Sequence, residues 1–176
     1  MPPSFEPIRR LHHSAWRCRD AEETRAFYED ILGLPLVHVI RAETVPSTGE
    51  YCPYVHIFFA LKDGSSVAFF DLGDDQAPAP SPNTPAWVTH LALKVDSLED
   101  LQKHRARLEA AGVNVLGVTD HGFVRSIYFF DPNGIRLELT VDMEDGEVSD
   151  SDLSRAHRQL SDWITEKAAR GQYQPA

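Results

Sequence analysis

The hydrophobic and polar positions of the chain follow one order of elements twice. Alternating apolar positions predict strands, and apolar positions three or four residues apart predict helices. The first half predicts a strand, a helix and three strands at Arg9–Cys18, Asp20–Ile31, Leu34–Ile40, Tyr54–Leu61 and Ser66–Leu72. The second half repeats this order at Val88–Val95, Leu98–Ala111, Val113–Val118, Val124–Phe130 and Ile135–Val141. Each half is therefore predicted to be a βαβββ unit.

Landmark residues recur at equivalent places in the two halves, which indicates an old internal duplication. The equivalent pairs are His13 with His90, Gly33 with Gly112, and Gly64 with Gly134. We predict a fold of the α+β class in which the two βαβββ modules form a curved mixed-sheet pseudo-barrel around a pocket. The apolar face of each sheet is expected to pack on the helices, which lie outside.

The domain organisation follows from the spacing of these elements. We predict a single domain over residues 1–176, with module 1 at about residues 9–73 and module 2 at about residues 88–142. A proline-rich segment at residues 74–87 predicts a stiff linker between them, since proline fits neither a helix interior nor a central strand.

An acidic stretch and a C-terminal helix account for residues 143–176. The helix is predicted over Asp150–Ala169, with Ser151 or Asp152 as its N-cap. Its apolar positions recur at helical spacing and must be buried. They pack either on the same chain or across a dimer interface.

Composition and charge narrow the class of partner. The 176 residues carry a formal net charge of -10, which argues against nucleic acid and against an anionic membrane surface. Two cysteines cannot build a disulfide framework, and no apolar run is long enough to span a bilayer. A cytoplasmic location is expected.

Strand alternation places candidate metal ligands on one face of the predicted sheets. His13, His90 and Glu138 lie on the sides of their strands opposite the apolar residues, and Tyr128 shares that face. Two imidazoles and one carboxylate make the ligand set of non-heme Fe(II) enzymes that leave coordination positions open. Each residue alone could instead be an ordinary polar strand residue. Their agreement in face and landmark position favours a metal centre.

The stretch from Thr119 to Glu138 resembles the local signature of type I extradiol ring-cleavage dioxygenases. It reads Thr119-Asp120-His121, five residues, then Ile127-Tyr128-Phe129-Phe130-Asp131-Pro132-Asn133-Gly134 and Glu138. Leu11-His12-His13, Phe27-Tyr28 and Leu32-Gly33-Leu34 are similar to the opening of a vicinal oxygen chelate module. The chain is thus identified as a member of that superfamily, which includes glyoxalases, bleomycin-resistance proteins and dioxygenases.

The resemblance implies roles for six residues. His13, His90 and Glu138 would be the metal ligands around which the pseudo-barrel forms its metal pocket. His56 would be the acid–base histidine, while His121 and Tyr128 would hydrogen-bond the ring oxygens of the substrate. The structural alternatives are a turn histidine for His121, a wall aromatic for Tyr128 and a half-buried polar residue for His56.

One position departs from the glyoxalase pattern. Glyoxalase-type sites take a fourth ligand from the last strand of the first module, where this chain has Ala68, or Phe69 if the register slips by one. Neither side chain can bind a metal, and Asp71 would need a larger slip. Arg125 lies beside the signature and could pair with a substrate carboxylate, although strand alternation places it off the Tyr128 face.

The function predicted from these residues is that of an Fe(II)-dependent extradiol-type dioxygenase acting on an aromatic diol, or a similar chelator, with O2. Mn, Zn, Ni or Co would also suit the ligands, and a homodimer is expected. One alternative is a glyoxalase-like lyase or isomerase without redox chemistry. Another is a non-catalytic, resistance-type protein that binds a small molecule.

Overall fold

Two four-stranded mixed sheets carry the two repeated halves of the chain. The structure, a computed structural model, describes residues 8–143 and 149–171. The first half consists of β1 His13–Cys18, α1 Ala21–Arg25 with a π-helical continuation Ala26–Ile31, β2 Leu36–Thr44, β3 Tyr51–Ala60 and β4 Ser66–Asp71. The second half consists of β5 Leu91–Lys94, α2 Leu98–Ala110, β6 Leu116–Asp120, β7 Val124–Phe130 and β8 Arg136–Asp142.

Both sheets have the same topology, which confirms the predicted βαβββ order. The strand orders are β1-β4-β3-β2 and β5-β8-β7-β6. In each sheet the first strand pairs in parallel with the last, and the other pairs are antiparallel. The two sheets remain separate in hydrogen bonding, so the described residues form no closed barrel.

The helices begin and end where the sequence supplies caps. Asp20 accepts a hydrogen bond from the backbone N–H of Glu23, and Ser97 accepts one from that of Asp100. Gly33 and Gly112 follow the two helices with φ values of 78° and 80°. Only glycine adopts this left-handed conformation without strain, so the landmark glycines stop both helices in the same way.

One hydrophobic core is shared by the two modules. The rings of Phe27 and Phe129, one from each module, have centroids 6.3 Å apart. Tyr28 stacks on Phe59 with a centroid distance of 5.2 Å. Strand and helix residues of both modules belong to the same buried cluster: Cys18, Phe27, Tyr28, Phe59, Val67, Phe69, Leu101, Leu108, Ile127, Phe129 and Leu137. The expectation that the apolar sheet faces pack on the helices is therefore confirmed, whereas the described sheets do not close into a barrel.

A buried polar contact also joins the modules. The Tyr28 hydroxyl donates to Asp131 Oδ2 at 3.1 Å, and the Asn133 side-chain amide donates to Thr24 Oγ1 at 3.1 Å. The backbone N–H of Arg19 donates to Asn133 Oδ1 at 2.9 Å. The Asp131–Gly134 turn of module 2 is thereby bound to the start of the helix in module 1.

The chain divides into two units, Met1–Met143 and Glu144–Ala176. The second contains α3, Asp150–Ala169, with the predicted bounds. Its N-cap is Ser149 and not Ser151 or Asp152, because Ser149 and Asp152 form a reciprocal capping box. The apolar residues Leu153, Leu160, Trp163 and Ile164 are exposed within the described residues, so their burial partner stays a prediction. Most of the predicted acidic stretch, at 144–148, lies outside the described residues.

Within the described residues, no helix combines the length and the apolar character needed to span a bilayer. The segment between β4 and β5 contains the predicted proline-rich linker and forms neither helix nor strand. It is held on module 1 by Arg17, whose side chain donates to the carbonyl oxygen of Gln76 at 2.9 Å and pairs with Asp74.

The contact between the modules can be tested by Tyr28→Phe. This change removes one hydroxyl donor to the buried Asp131 and leaves the ring in place, so we expect the free energy of unfolding to fall by about 1–2 kcal/mol. Urea denaturation measures the change. The control Tyr51→Phe alters a ring that is 73% exposed and should stay within about 0.5 kcal/mol of wild type. Equal stabilities of the two variants would contradict a role for the contact.

Candidate metal centre and adjoining cavity

Four of the six predicted site residues lie together at the second sheet, Tyr128 and Glu138 on its strands and the two histidines next to strand ends. Glu138 Oε2 is 3.1 Å from His90 Nε2, and Glu138 Oε1 accepts a hydrogen bond from the Tyr128 hydroxyl at 3.1 Å. His121 Nε2 lies 2.8 Å from the same hydroxyl. The structure therefore joins His121, Tyr128, Glu138 and His90 into one hydrogen-bonded chain.

The strand register produces this grouping. Tyr128 on β7 and Ala92 on β5 both pair directly with Glu138 on β8. His90 lies just before the first residue of β5, and its Nε2 reaches the same carboxylate. The carboxylate of Glu138 thus lies between the Tyr128 phenol and the His90 imidazole, and Glu138 is only 7% exposed.

A backbone contact sets the orientation of His90. Its Nδ1 lies 3.1 Å from the carbonyl oxygen of Val88. Because a carbonyl oxygen only accepts, Nδ1 carries a proton. The contact between Nε2 and Glu138 is a hydrogen bond when Nε2 is protonated as well, and a bound metal ion would take the place of that second proton. A histidine that donates one ring N–H to a carbonyl and directs its other nitrogen toward the metal position has the arrangement common among metal ligands.

The other two predicted residues, His13 and His56, lie on the first sheet. Their ring centroids are 6.0 Å apart, and both rings contact Phe58. His56 stacks on Phe70 with a centroid distance of 3.6 Å, and its Nδ1 lies 2.9 Å from the carbonyl oxygen of Phe69. The proton is therefore on Nδ1 of His56, and the Nε2 lone pair is free to act as a base.

A neighbouring histidine joins this group, although alternation along the predicted strand Arg9–Cys18 would place it on the opposite face. His12 precedes β1, and its Nδ1 lies 2.8 Å from Nδ1 of His13. Strand alternation does not apply there, since the residue is outside the strand. Nothing in the sequence pattern signals this contact, which restrains the ring of the predicted ligand.

The predicted ligands are thus divided between two sheets. No group of three or more His, Cys, Asp and Glu residues in the described part of the chain could hold a metal ion. The donor types still fit a divalent metal, because an imidazole nitrogen and a carboxylate oxygen lie 3.1 Å apart at His90 and Glu138. The structure brings two ligands of the predicted centre together and leaves His13 apart, so the three-residue centre stays a prediction.

The register also identifies the residue equivalent to Glu138 in module 1. Ala68 pairs with Ala15 and with Phe58, just as Glu138 pairs with Ala92 and with Tyr128. Position 68 rather than 69 is therefore the equivalent one. Asp71 does not replace it, since its carboxylate accepts the backbone N–H groups of Ala21 and Gly73.

Burial changes the proton affinity of two site residues. Desolvation lowers the pKa of His56 below its usual value, with the Phe69 carbonyl opposing this and His13 adding to it. Desolvation raises the pKa of Tyr128, and the neighbouring Glu138 adds to the rise. Near neutral pH, His56 is therefore an uncharged base and Tyr128 a protonated donor.

A cavity of about 770 Å³ adjoins the Tyr128 side of the site. Its wall includes the exposed rings of Trp87 and Phe130 and the side chain of Leu116. Arg136 lines it too, with Cζ 4.4 Å from the centroid of the Tyr128 ring. Sequence reasoning overlooked Arg136, although its alternation with Glu138 was a usable signal.

Arg125, the arginine singled out from sequence, is engaged elsewhere. Its Nε donates to Asp120 at 3.1 Å, across the β6–β7 pair. The expected parity is observed, because Arg125 alternates with Ser126, and Ser126 shares the Tyr128 side. It is therefore not available to a ligand on the Tyr128 face.

Comparison with known proteins identifies relatives of several activities. MhqA of Bacillus subtilis (strain 168), a provisionally assigned ring-cleaving dioxygenase, is 26% identical over 137 residues, which is 76% of this chain and 40% of MhqA. The chain thus spans less than half of that relative. A glyoxalase/dioxygenase from Nostoc punctiforme is 25% identical with a TM-score of 0.60, covering 82% of this chain and 99% of its own.

A second solved structure shares the fold and contains a metal. The fosfomycin resistance protein FosX of Listeria monocytogenes, in a mutant form complexed with Mn(II) and 1S,2S-dihydroxypropylphosphonic acid, has 22% identity and a TM-score of 0.54. The match covers 76% of this chain and 92% of FosX. Members of this fold family therefore bind divalent metal ions and small-molecule ligands. With its family model matching residues 10–139, the chain belongs to the Glyoxalase/Bleomycin resistance protein/Dioxygenase superfamily.

Proposed function

We propose that the protein is an Fe(II)-dependent extradiol-type dioxygenase that cleaves a catechol-like substrate. The observation that carries the proposal is the hydrogen-bonded chain His121–Tyr128–Glu138–His90, which joins three residues of the ring-cleavage signature to His90. The partial similarity to MhqA supports the same reaction class. Bound iron would supply the open coordination positions at which the vicinal substrate oxygens and O2 meet.

We further propose that a second copy of the chain completes each centre. His90 and Glu138 would be joined by the partner's His13, since His13 of the same chain lies in a different group. The outer strands of both sheets support pairing, because β2 exposes Val37 and Val39 and β6 exposes Val118. Two copies related by a two-fold axis would form two equivalent centres.

The chain's own residues would then bind and deprotonate the diol. His56 accompanies His13 and presents its Nε2 lone pair, so it accepts a hydroxyl proton and later returns it. Tyr128 donates to Glu138 and fixes that carboxylate. His121 lies on the outer side of the Tyr128 hydroxyl, where it orients the phenol. The apolar rings around His56 exclude water from the base.

Oxygen uptake tests the reaction. Protein loaded anaerobically with Fe(II) is expected to consume O2 with at least one member of a catechol panel. Glu138→Gln removes a ligand oxygen and should lower the rate by about two orders of magnitude or more. The matched control Glu99→Gln changes an exposed carboxylate on α2 that pairs with Lys103 and should keep the wild-type rate. No uptake by iron-loaded protein, with turnover on Zn(II) in the absence of O2, would identify a glyoxalase-like lyase or isomerase instead.

Mixing two inactive variants tests the shared centre. His13→Ala and Glu138→Ala chains, unfolded and refolded together at equal concentration, should regain about a quarter of wild-type metal content. Half of the random pairs are mixed, and each mixed pair has one intact centre of two. Metal analysis after gel filtration measures the recovery. The double variant refolded with either single variant is the control, and zero recovery in the original mixture would exclude a shared centre.

The protonation of His56 can be measured directly. Because burial lowers its folded pKa, an NMR titration of metal-free protein should give a midpoint below about 6.5. A depressed folded pKa means that the neutral ring contributes stability above the unfolded pKa, and that this contribution is lost as pH falls through the folded pKa. His56→Gln should therefore show a smaller loss of stability on acidification than wild type. A midpoint at or above 6.5 would contradict the assignment of His56 as an uncharged base.

A further inference from the structure

The guanidinium of Arg136 lies on the same face of the second sheet as Tyr128 and Glu138. Among the described residues, no carboxylate forms an ion pair with it. Arg136 pairs with Phe130 in the β7–β8 register and alternates with Glu138, so it shares the face of Tyr128. Its charged group lies over the Tyr128 ring, with Cζ 4.4 Å from the ring centroid. A guanidinium held over an aromatic ring can still donate its N–H groups to an oxyanion.

Neither nearby carboxylate occupies those donors. Both oxygens of Glu138 are engaged, one at His90 and the other at the Tyr128 hydroxyl. Asp131 is buried, and its oxygens accept from Tyr28, from the Asn133 side chain and from the backbone N–H groups of Asn133 and Ile135. Among the described residues, no ion pair or hydrogen bond involves the Arg136 side chain.

The surroundings of Arg136 suit an aromatic ligand. It lines the 770 Å³ cavity together with Trp87, Leu116 and Phe130, which are 68%, 65% and 51% exposed. Large apolar side chains left open in this way mark binding surfaces. It also lines a second cavity of about 350 Å³ beside the proline-rich linker, so the charge can be approached from two sides.

The Tyr128 ring connects this charge to the candidate metal centre. Its hydroxyl binds Glu138, and its face carries Arg136. A ligand lying along the ring would reach the carboxylate–imidazole pair at one end and the guanidinium at the other. A planar oxyanion matches the fork of N–H donors with two parallel hydrogen bonds.

We propose that Arg136 is a specificity-determining residue that binds a carboxylate on the substrate, so that the enzyme acts on aromatic diols bearing an acidic group. The proposal rests on the proposed function for the diol end of the ligand. The anion position itself depends only on Arg136, Tyr128 and the cavity wall.

A pair of ligands that differ in one group tests this assignment. 3,4-Dihydroxybenzoate and 3,4-dihydroxybenzyl alcohol carry the same diol, and only the first is an anion. We expect wild-type protein without added metal to bind the acid at least about tenfold more tightly at low ionic strength, in an anaerobic NMR titration of backbone amides. Arg136→Gln should bring the two Kd values together, and Arg136→Lys should keep a smaller preference because ammonium lacks the planar fork.

Arg125→Gln is the matched control. It removes an arginine from the same strand pair that already binds Asp120, so the preference for the acid should persist. The amide spectra of the variants report whether each is folded. Equal affinities in wild type, or a preference that survives Arg136→Gln, would overturn the assignment. A retained preference without O2 uptake would reject the dioxygenase and keep the anion position, whereas uptake confined to neutral diols would reject the anion position alone.

Discussion

The structure depends on the carboxylate of Asp131, which connects the two modules and shapes the turn before the last strand. It accepts hydrogen bonds from Tyr28 of module 1 and from backbone N–H groups within the turn. Burying a carboxylate without hydrogen-bond partners costs free energy, and these donors together offset that cost for Asp131. The same turn fixes where β8 begins, and β8 supplies Glu138 and Arg136. Docking of the modules and placement of the site residues therefore have a common cause.

Much of the fold follows from local pattern in the sequence. The β7 and α3 ranges match the predicted ones residue for residue, because turn residues bound the strand on both sides and apolar residues recur at helical spacing in the helix. Strand alternation also placed Tyr128 and Glu138 on one face correctly. The predicted strands Val124–Phe130 and Ile135–Val141 leave a turn at the Asp-Pro-Asn-Gly motif between them. The contact of this turn with the start of the helix in module 1 cannot be predicted from the local sequence. That contact involves Tyr28, which lies 103 positions before Asp131 in the chain.

The arrangement of the site was harder to predict for a similar reason. Alternation tells which face of a sheet a residue occupies, but it does not tell which two faces meet. The contact between Phe27 and Phe129 shows that the apolar faces of the two modules meet in the core. The faces that carry the histidines therefore point away from the opposite sheet. The position of Arg136 was equally visible in the pattern. Arg125 lies closer to the signature histidine in sequence, but its charge is already neutralised by Asp120.

The presence of Ala68 at the position equivalent to Glu138 has a consequence for charge. Two neutral imidazoles and one carboxylate would leave a divalent ion with one uncompensated positive charge, whereas a second carboxylate at position 68 would cancel it. A centre of the proposed composition would therefore attract an ionised oxygen ligand more strongly than a neutral one. Replacement of one carboxylate by a methyl group in an ancestral repeat would in this way shift the preferred ligand from neutral carbonyl compounds toward phenolates.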